Sequence, residues 1–143
     1  MPAMVDAALF DKRVNCYSLM TALSTAEYLK MAETAYSKRG GLEHQRGALK
    51  TTTAKRIRAR MVSDVKAGAI LPPIVIGVVM NDTQFKDVAT TAPSDVISMI
   101  AETLGDSLSI IDGMQRTTAL RDAVAEQRQW LSAMATIADP PRD

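Results

Sequence analysis

Ser107-Leu108-Ser109-Ile110-Ile111-Asp112-Gly113-Met114-Gln115-Arg116-Thr117-Thr118-Ala119-Leu120 changes period in mid-run. Its first five residues alternate and are rich in β-branched side chains, which predicts a strand. After Asp112-Gly113 the spacing becomes helical, so the Asp-Gly pair marks a strand-to-helix junction. Such a junction aims free backbone N–H groups and the positive end of a helix dipole at one point. Phosphate-handling side chains, Gln115 and Arg116, stand in the same turn.

Outward from this junction the chain reads as alternating strands and helices. Downstream, a helix over 115–134 is expected to bury Leu120, Val124, Leu131 and Met134. Upstream, Pro93-Ser94-Asp95 opens a helix to about Leu104, and Gly105-Asp106 turns the chain. Residues 81–91 read as a loop. Before them, Leu71-Pro72-Pro73 leads into Ile74-Val75-Ile76-Gly77-Val78-Val79, apolar on both faces and therefore expected to be a central strand. Ile57, Met61 and Val65 recur every four residues in a helix that Gly68 closes. Ser24 and Glu27 form a capping box for a helix to about Tyr36, followed by Ser37-Lys38-Arg39-Gly40-Gly41. A strand is expected at 14–19, with Cys16 as a small core residue. The order β, α, α, β, α, β, α indicates an α/β or α+β fold.

At 143 residues the chain has the length of one domain, so a single domain over 1–143 is expected. An apolar content of 47% with a net charge of +1 marks a globular chain and excludes a disordered basic tail. The longest apolar run, 69–80, holds two prolines and a glycine and falls far short of a bilayer span, so no membrane partner is expected. A basic leader followed by an apolar core is not visible, and a lone cysteine forms no internal disulfide. The cytoplasm is the expected compartment. Asp139-Pro140-Pro141-Arg142-Asp143 reads as a helix-terminating tail that would lead into another element, so the chain is expected to be the N-terminal part of a longer protein.

The junction has two chemical readings. Gly113 permits backbone angles closed to other residues and lets a ligand approach the main chain, while Arg116 offers a planar fork for phosphate oxygens. Thr117 and Thr118 add hydroxyl donors, Asp112 is a candidate catalytic residue that would position water, and Gln115 would orient that water or read a base edge. Equally, Asp112 and Gln115 stand at the spacing of an Asp-type capping box, which needs no ligand.

Asp112-Gly113-Met114-Gln115-Arg116 resembles the Asp-Gly-Gln-Gln/His-Arg signature of the DGQHR and DGQQR groups of the ParB/sulfiredoxin-like superfamily. Upstream, Gln45-Arg46-Gly47-Ala48-Leu49, the basic helix to Arg60 and the proline-led strand at 71–76 are similar in layout to the B proteins of DNA phosphorothioation systems. Met114 departs from the signature, where the family has Gln, and relatives continue beyond the length seen here. The resemblance covers about residues 13–135 and implies a ParB/sulfiredoxin-like small mixed sheet flanked by helices. It implies a phosphate or nucleotide site at Gly113, Gln115, Arg116 and Arg46, in a DNA-modification or anti-phage defence system. NTP hydrolysis or DNA nicking would be the activity, a nucleoside triphosphate the cofactor, and DNA or nucleotide the ligand. The metal requirement stays open, and a homo-oligomer or other defence subunits would be partners.

A second surface points to nucleic acid from composition alone. Lys50, Lys55, Arg56, Arg58 and Arg60 fall within three helical turns, as a phosphate-neutralising face would require, or else form a solvated face balanced elsewhere. On the first alternative the chain is a non-enzymatic DNA-binding transcriptional regulator. The aromatics are scattered along the sequence and predict no stacking platform for single strands. His44, the lone histidine, reads as a loop residue, and one histidine with one cysteine makes no zinc set.

Overall fold

A computed structural model describes residues 8–42 and 51–138, with side chains to 134. It shows a mixed α/β chain of five helices and two small antiparallel two-stranded sheets among the described residues. The order is β1 (Leu9–Asp11), β2 (Cys16–Ser18), α1 (Thr25–Tyr36), α2 (Thr52–Lys66), β3 (Val75–Val78), α3 (Asp82–Val88), α4 (Pro93–Thr103), β4 (Leu108–Asp112) and α5 (Met114–Ala138). Short 3-10 turns at Ser37–Arg39 and Gly105–Ser107 follow α1 and precede β4. The chain divides into two compact units, 1–39 with 76–110 and 40–75 with 111–143, and the boundaries fall inside β3 and β4.

The helix starts are local chemistry. Ser24 Oγ accepts the Glu27 N–H at 3.1 Å while the Ser24 N–H donates to Glu27 Oε2 at 3.4 Å, the expected capping box of α1. Thr51 Oγ1 accepts the Ala54 N–H at 3.1 Å to start α2, and Pro93 occupies the first turn of α4. The expected loop at 81–91 is corrected to a helix. Asn81 and Gln84 form a second capping box, with the Gln84 N–H on Asn81 Oδ1 at 2.8 Å, and α3 follows from it.

In the first unit, α1 contributes Tyr28, Leu29, Met31, Ala32, Ala35 and Tyr36 to the buried set, and α4 contributes Val96 and Ile100. Leu108, at the start of β4, is wholly buried. The Tyr36 hydroxyl accepts the Ile110 N–H at 2.9 Å, which ties the end of α1 to β4. Arg39 stacks over the Tyr36 ring at 4.8 Å and donates to the Asp106 carbonyl at 2.7 Å. Lys38 donates to Asp106 Oδ2 at 2.9 Å, and that hydrogen bond and charge hold its pKa above the usual 10.5. The small contribution of this exposed pair is complete below the ordinary lysine pKa and disappears as the pH rises through the folded value. Tyr36→Phe is expected to cost about 1–2 kcal/mol, because the Ile110 N–H loses its acceptor in a half-buried place. A lowered urea midpoint at unchanged slope is the expected readout, and an unchanged midpoint would show that the bond carries no stability.

The strand expected at 14–19 is corrected to a hairpin. Leu9 pairs with Ser18, Phe10 with Tyr17 and Asp11 with Cys16, and Asn15 turns the chain at φ +52°. Cys16 is exposed rather than a core residue. The hairpin is held to α3 by aromatic contact, with Tyr17 and Phe85 rings 4.9 Å apart and Phe10 5.1 Å from Tyr17. Phe85, far along the chain, thus joins the two aromatics of the hairpin in one cluster. The expected central strand is likewise corrected: β3 has β4 as its one partner among the described residues, and Val75 and Val79 are exposed. A continuous apolar run identified a strand but not its burial on both faces.

In the second unit α2 packs on α5 through Val62, Ala119 and Ala123, with Met61 and Val65 partly buried beside them. The expected stripe Ile57-Met61-Val65 is rotated, since Ile57 is 47% exposed and Val62 is buried. On α5 the buried positions are Thr117, Thr118, Ala119 and Ala123, whereas Leu131 and Met134 are exposed and Leu120 and Val124 half-buried. Small side chains let two helix backbones approach closely, so alanines serve where the larger residues were expected.

Candidate functional site

The Asp-Gly junction is real: β4 ends at Asp112, Gly113 is buried at φ +106°, and α5 begins at Met114. The first helical hydrogen bond runs from the Thr117 N–H to the Gly113 carbonyl at 2.8 Å. Gly113 therefore occupies the cap position, and Asp112 lies one residue outside it. Instead of capping α5, Asp112 Oδ2 meets Arg116 Nη2 at 3.2 Å, and its side chain is 69% exposed.

Arg116 is folded back over the junction. Its Nη2 also donates to the Pro73 carbonyl at 3.0 Å, while its Nε is buried without a hydrogen-bond partner. A Cβ placed on Gly113 would lie 3.0 Å from Ile74 Cγ1 and 3.3 Å from Arg116 Nη2. The glycine thus lets the segment before β3 close against the turn. The hydroxyls expected to meet phosphate are engaged and buried: Thr117 Oγ1 donates to the Gly113 carbonyl at 2.9 Å and Thr118 Oγ1 to the Gln115 carbonyl at 3.0 Å. That correction has a simple cause, since a threonine in the first turn satisfies its hydroxyl on the preceding carbonyls without any ligand. Gln115 is half-buried beside them.

The cationic helix presents a different geometry. Lys55, Arg56 and Arg60 are exposed and Arg58 is half-buried, and none has a side-chain hydrogen bond or ion pair among the described residues. α2 carries five cations, with Lys66, against the single acid Asp64, while the whole chain carries +1. Lys66 is bound to Glu126 of α5. Arg46, Lys50 and His44 lie outside the described residues, so the structure joins Asp112, Gly113, Gln115 and Arg116 at one turn without placing Arg46. No group of three or more metal-ligating side chains occurs among the described residues.

A groove of about 350 Å3 between α2 and α5 was not legible in the sequence. Its charged lining is Lys55, Arg58 and Lys66 on one helix and Asp122 and Glu126 on the other. Its two walls come from segments about sixty residues apart, and the only local signal for it was the cation density of α2. No helix among the described residues is long and apolar enough to cross a membrane. Comparison with protein-family models, with curated proteins and with solved structures gives no match to this chain.

Proposed function

We propose that the chain binds the phosphate backbone of nucleic acid through α2. The observation that carries this is the segregation of charge: four cations without partners among the described residues on a helix whose one fully buried residue is Val62. Unpaired exposed cations hold counter-anions loosely, and phosphate binding gains from the counterions released by the nucleic acid. The resemblance to phosphorothioation B proteins supplies a setting in DNA modification or anti-phage defence, and a regulator without chemistry needs nothing beyond the same helix.

The test is titration of labelled DNA at several salt concentrations. Arg56→Glu with Arg60→Glu is expected to weaken binding by about 100-fold at low salt and to lower the slope of log affinity against log salt by about 2. Both positions are exposed, so the fold should persist in circular dichroism. A wild-type affinity that does not vary with salt would refute the proposal.

A second reading places nucleotide phosphate at the N-terminus of α5. It is favoured by the buried, unpartnered Nε of Arg116, a donor left over beside four residues that match a nucleotide-family signature. For a ligand to use this guanidinium, Arg116 would exchange the Pro73 carbonyl and Asp112 for phosphate oxygens. Arg116→Ala is expected to abolish ATP binding in calorimetry and to cost about 1 kcal/mol of stability, because the Asp112 partner is exposed. ATP heats equal to those of the wild type would remove the turn as the site.

A further inference from the structure

The cations of α2 do not share one face. At about 100° per residue Arg56 and Arg60 fall together, one turn apart, while Lys55 and Arg58 fall toward Val62 and line the groove against α5. Facing them are Asp122 and Glu126, with Val62 in the lining between the two charged sides. Glu126 holds Lys66 through Oε2, with the two side chains 50% and 46% exposed, a pair that water and other donors readily replace. Oε1 of Glu126 makes no hydrogen bond among the described residues.

A cationic wall and an acidic wall separated by an apolar floor select a ligand with an anion at one end and N–H donors at the other. We infer that the groove takes one nucleotide of a nucleic-acid strand whose base carries an exocyclic amine. Its phosphate lies on Lys55 and Arg58, its ring covers Val62, and the amine donates to Glu126 and Asp122. Carboxylates accept hydrogen bonds from such amines, as aspartate and glutamate do from the cytosine amine. Thymine and uracil turn carbonyl oxygens toward the same acids and are disfavoured by repulsion and lost pairing. A groove of about 350 Å3 is at the lower end of ligand sites, a size that suits one nucleotide. A base whose ring covers Val62 has left its stack, so the strand is single or the base is turned out of a duplex.

This inference rests on the nucleic-acid reading of α2, and the experiment separates the two. Fluorescence anisotropy with short labelled oligo-dC and oligo-dT is expected to give about tenfold tighter binding of oligo-dC. Glu126→Gln and Asp122→Asn, each close in shape to the original, are expected to bring that ratio to about one without weakening oligo-dT. Equal wild-type affinities, or a preference that survives in both variants, would overturn the inference while leaving the nucleic-acid reading in place. Free CMP competing as well as oligo-dC would overturn it in favour of a free-nucleotide site. If neither oligonucleotide binds, or if Arg56→Glu with Arg60→Glu changes nothing, the reading of α2 itself fails.

Discussion

Gly113→Ala is expected to destabilise the protein by about 2–4 kcal/mol, the sum of two independent effects. At φ +106° an L-residue is strained whatever surrounds it, and here the surroundings are also full. The new methyl would stand 3.0 Å and 3.1 Å from the two γ-carbons of Ile74, well inside ordinary contact distance. A fall in Tm on the order of 10 °C should be read in a thermal melt. Ile74→Ala in the same chain separates the causes: it removes the contact but not the backbone strain, so the double variant should lose less than the two single losses added together. An alanine variant that melts with the wild type would mean that neither the contact nor the strain is present in solution.

Leu108→Ala is expected to cost about 3–4 kcal/mol through lost apolar burial and the cavity left behind. Among the described residues Leu108 is the largest side chain that is completely buried, at 0% exposure, and it opens β4 directly after the Gly105–Ser107 turn. Ile111 provides the internal comparison, because it lies on the same strand at 69% exposure. Its replacement by alanine should change stability by less than about 0.5 kcal/mol. Chemical denaturation of the pair decides the matter, and similar losses at the two positions would contradict the burial assigned to β4.

The contrast between these residues shows what kind of information a sequence holds. Leu108 and Ile111 lie on one strand, where alternation puts Ile111 beside Ser109 on the face opposite Leu108, but the sequence does not state what covers either face. The junction at Asp112-Gly113 was legible because a change of period and a glycine are both written within a few residues. What those residues touch was not legible. Pro73 and Ile74 lie about forty residues upstream, and they turn Arg116 and Gly113 into parts of a packed turn. The same separation explains the aromatic cluster, since Phe85 is brought to Phe10 and Tyr17 by tertiary folding alone.

The candidate nucleic-acid surface divides in the same way. Cation density between Lys55 and Arg60 is a property of the sequence, and so is its excess over the near-neutral whole. The phase of the helix is not. With Val62 rather than Ile57 turned inward, Arg56 and Arg60 separate from Lys55 and Arg58, and the latter pair acquires the acids of α5 as a facing wall.

By itself, then, the sequence determined the elements whose causes are short in range: the capping box at Ser24, the proline-led strand, the glycine junction and the charge of α2. Each depends on groups three or four residues apart, so the information and the interaction share one stretch of chain. Only the tertiary structure decided which faces are buried, that the sheets stop at two strands each among the described residues, and that a groove opens between α2 and α5. Those outcomes depend on packing between distant segments, where alanine beside valine serves as well as the larger residues the pattern suggested.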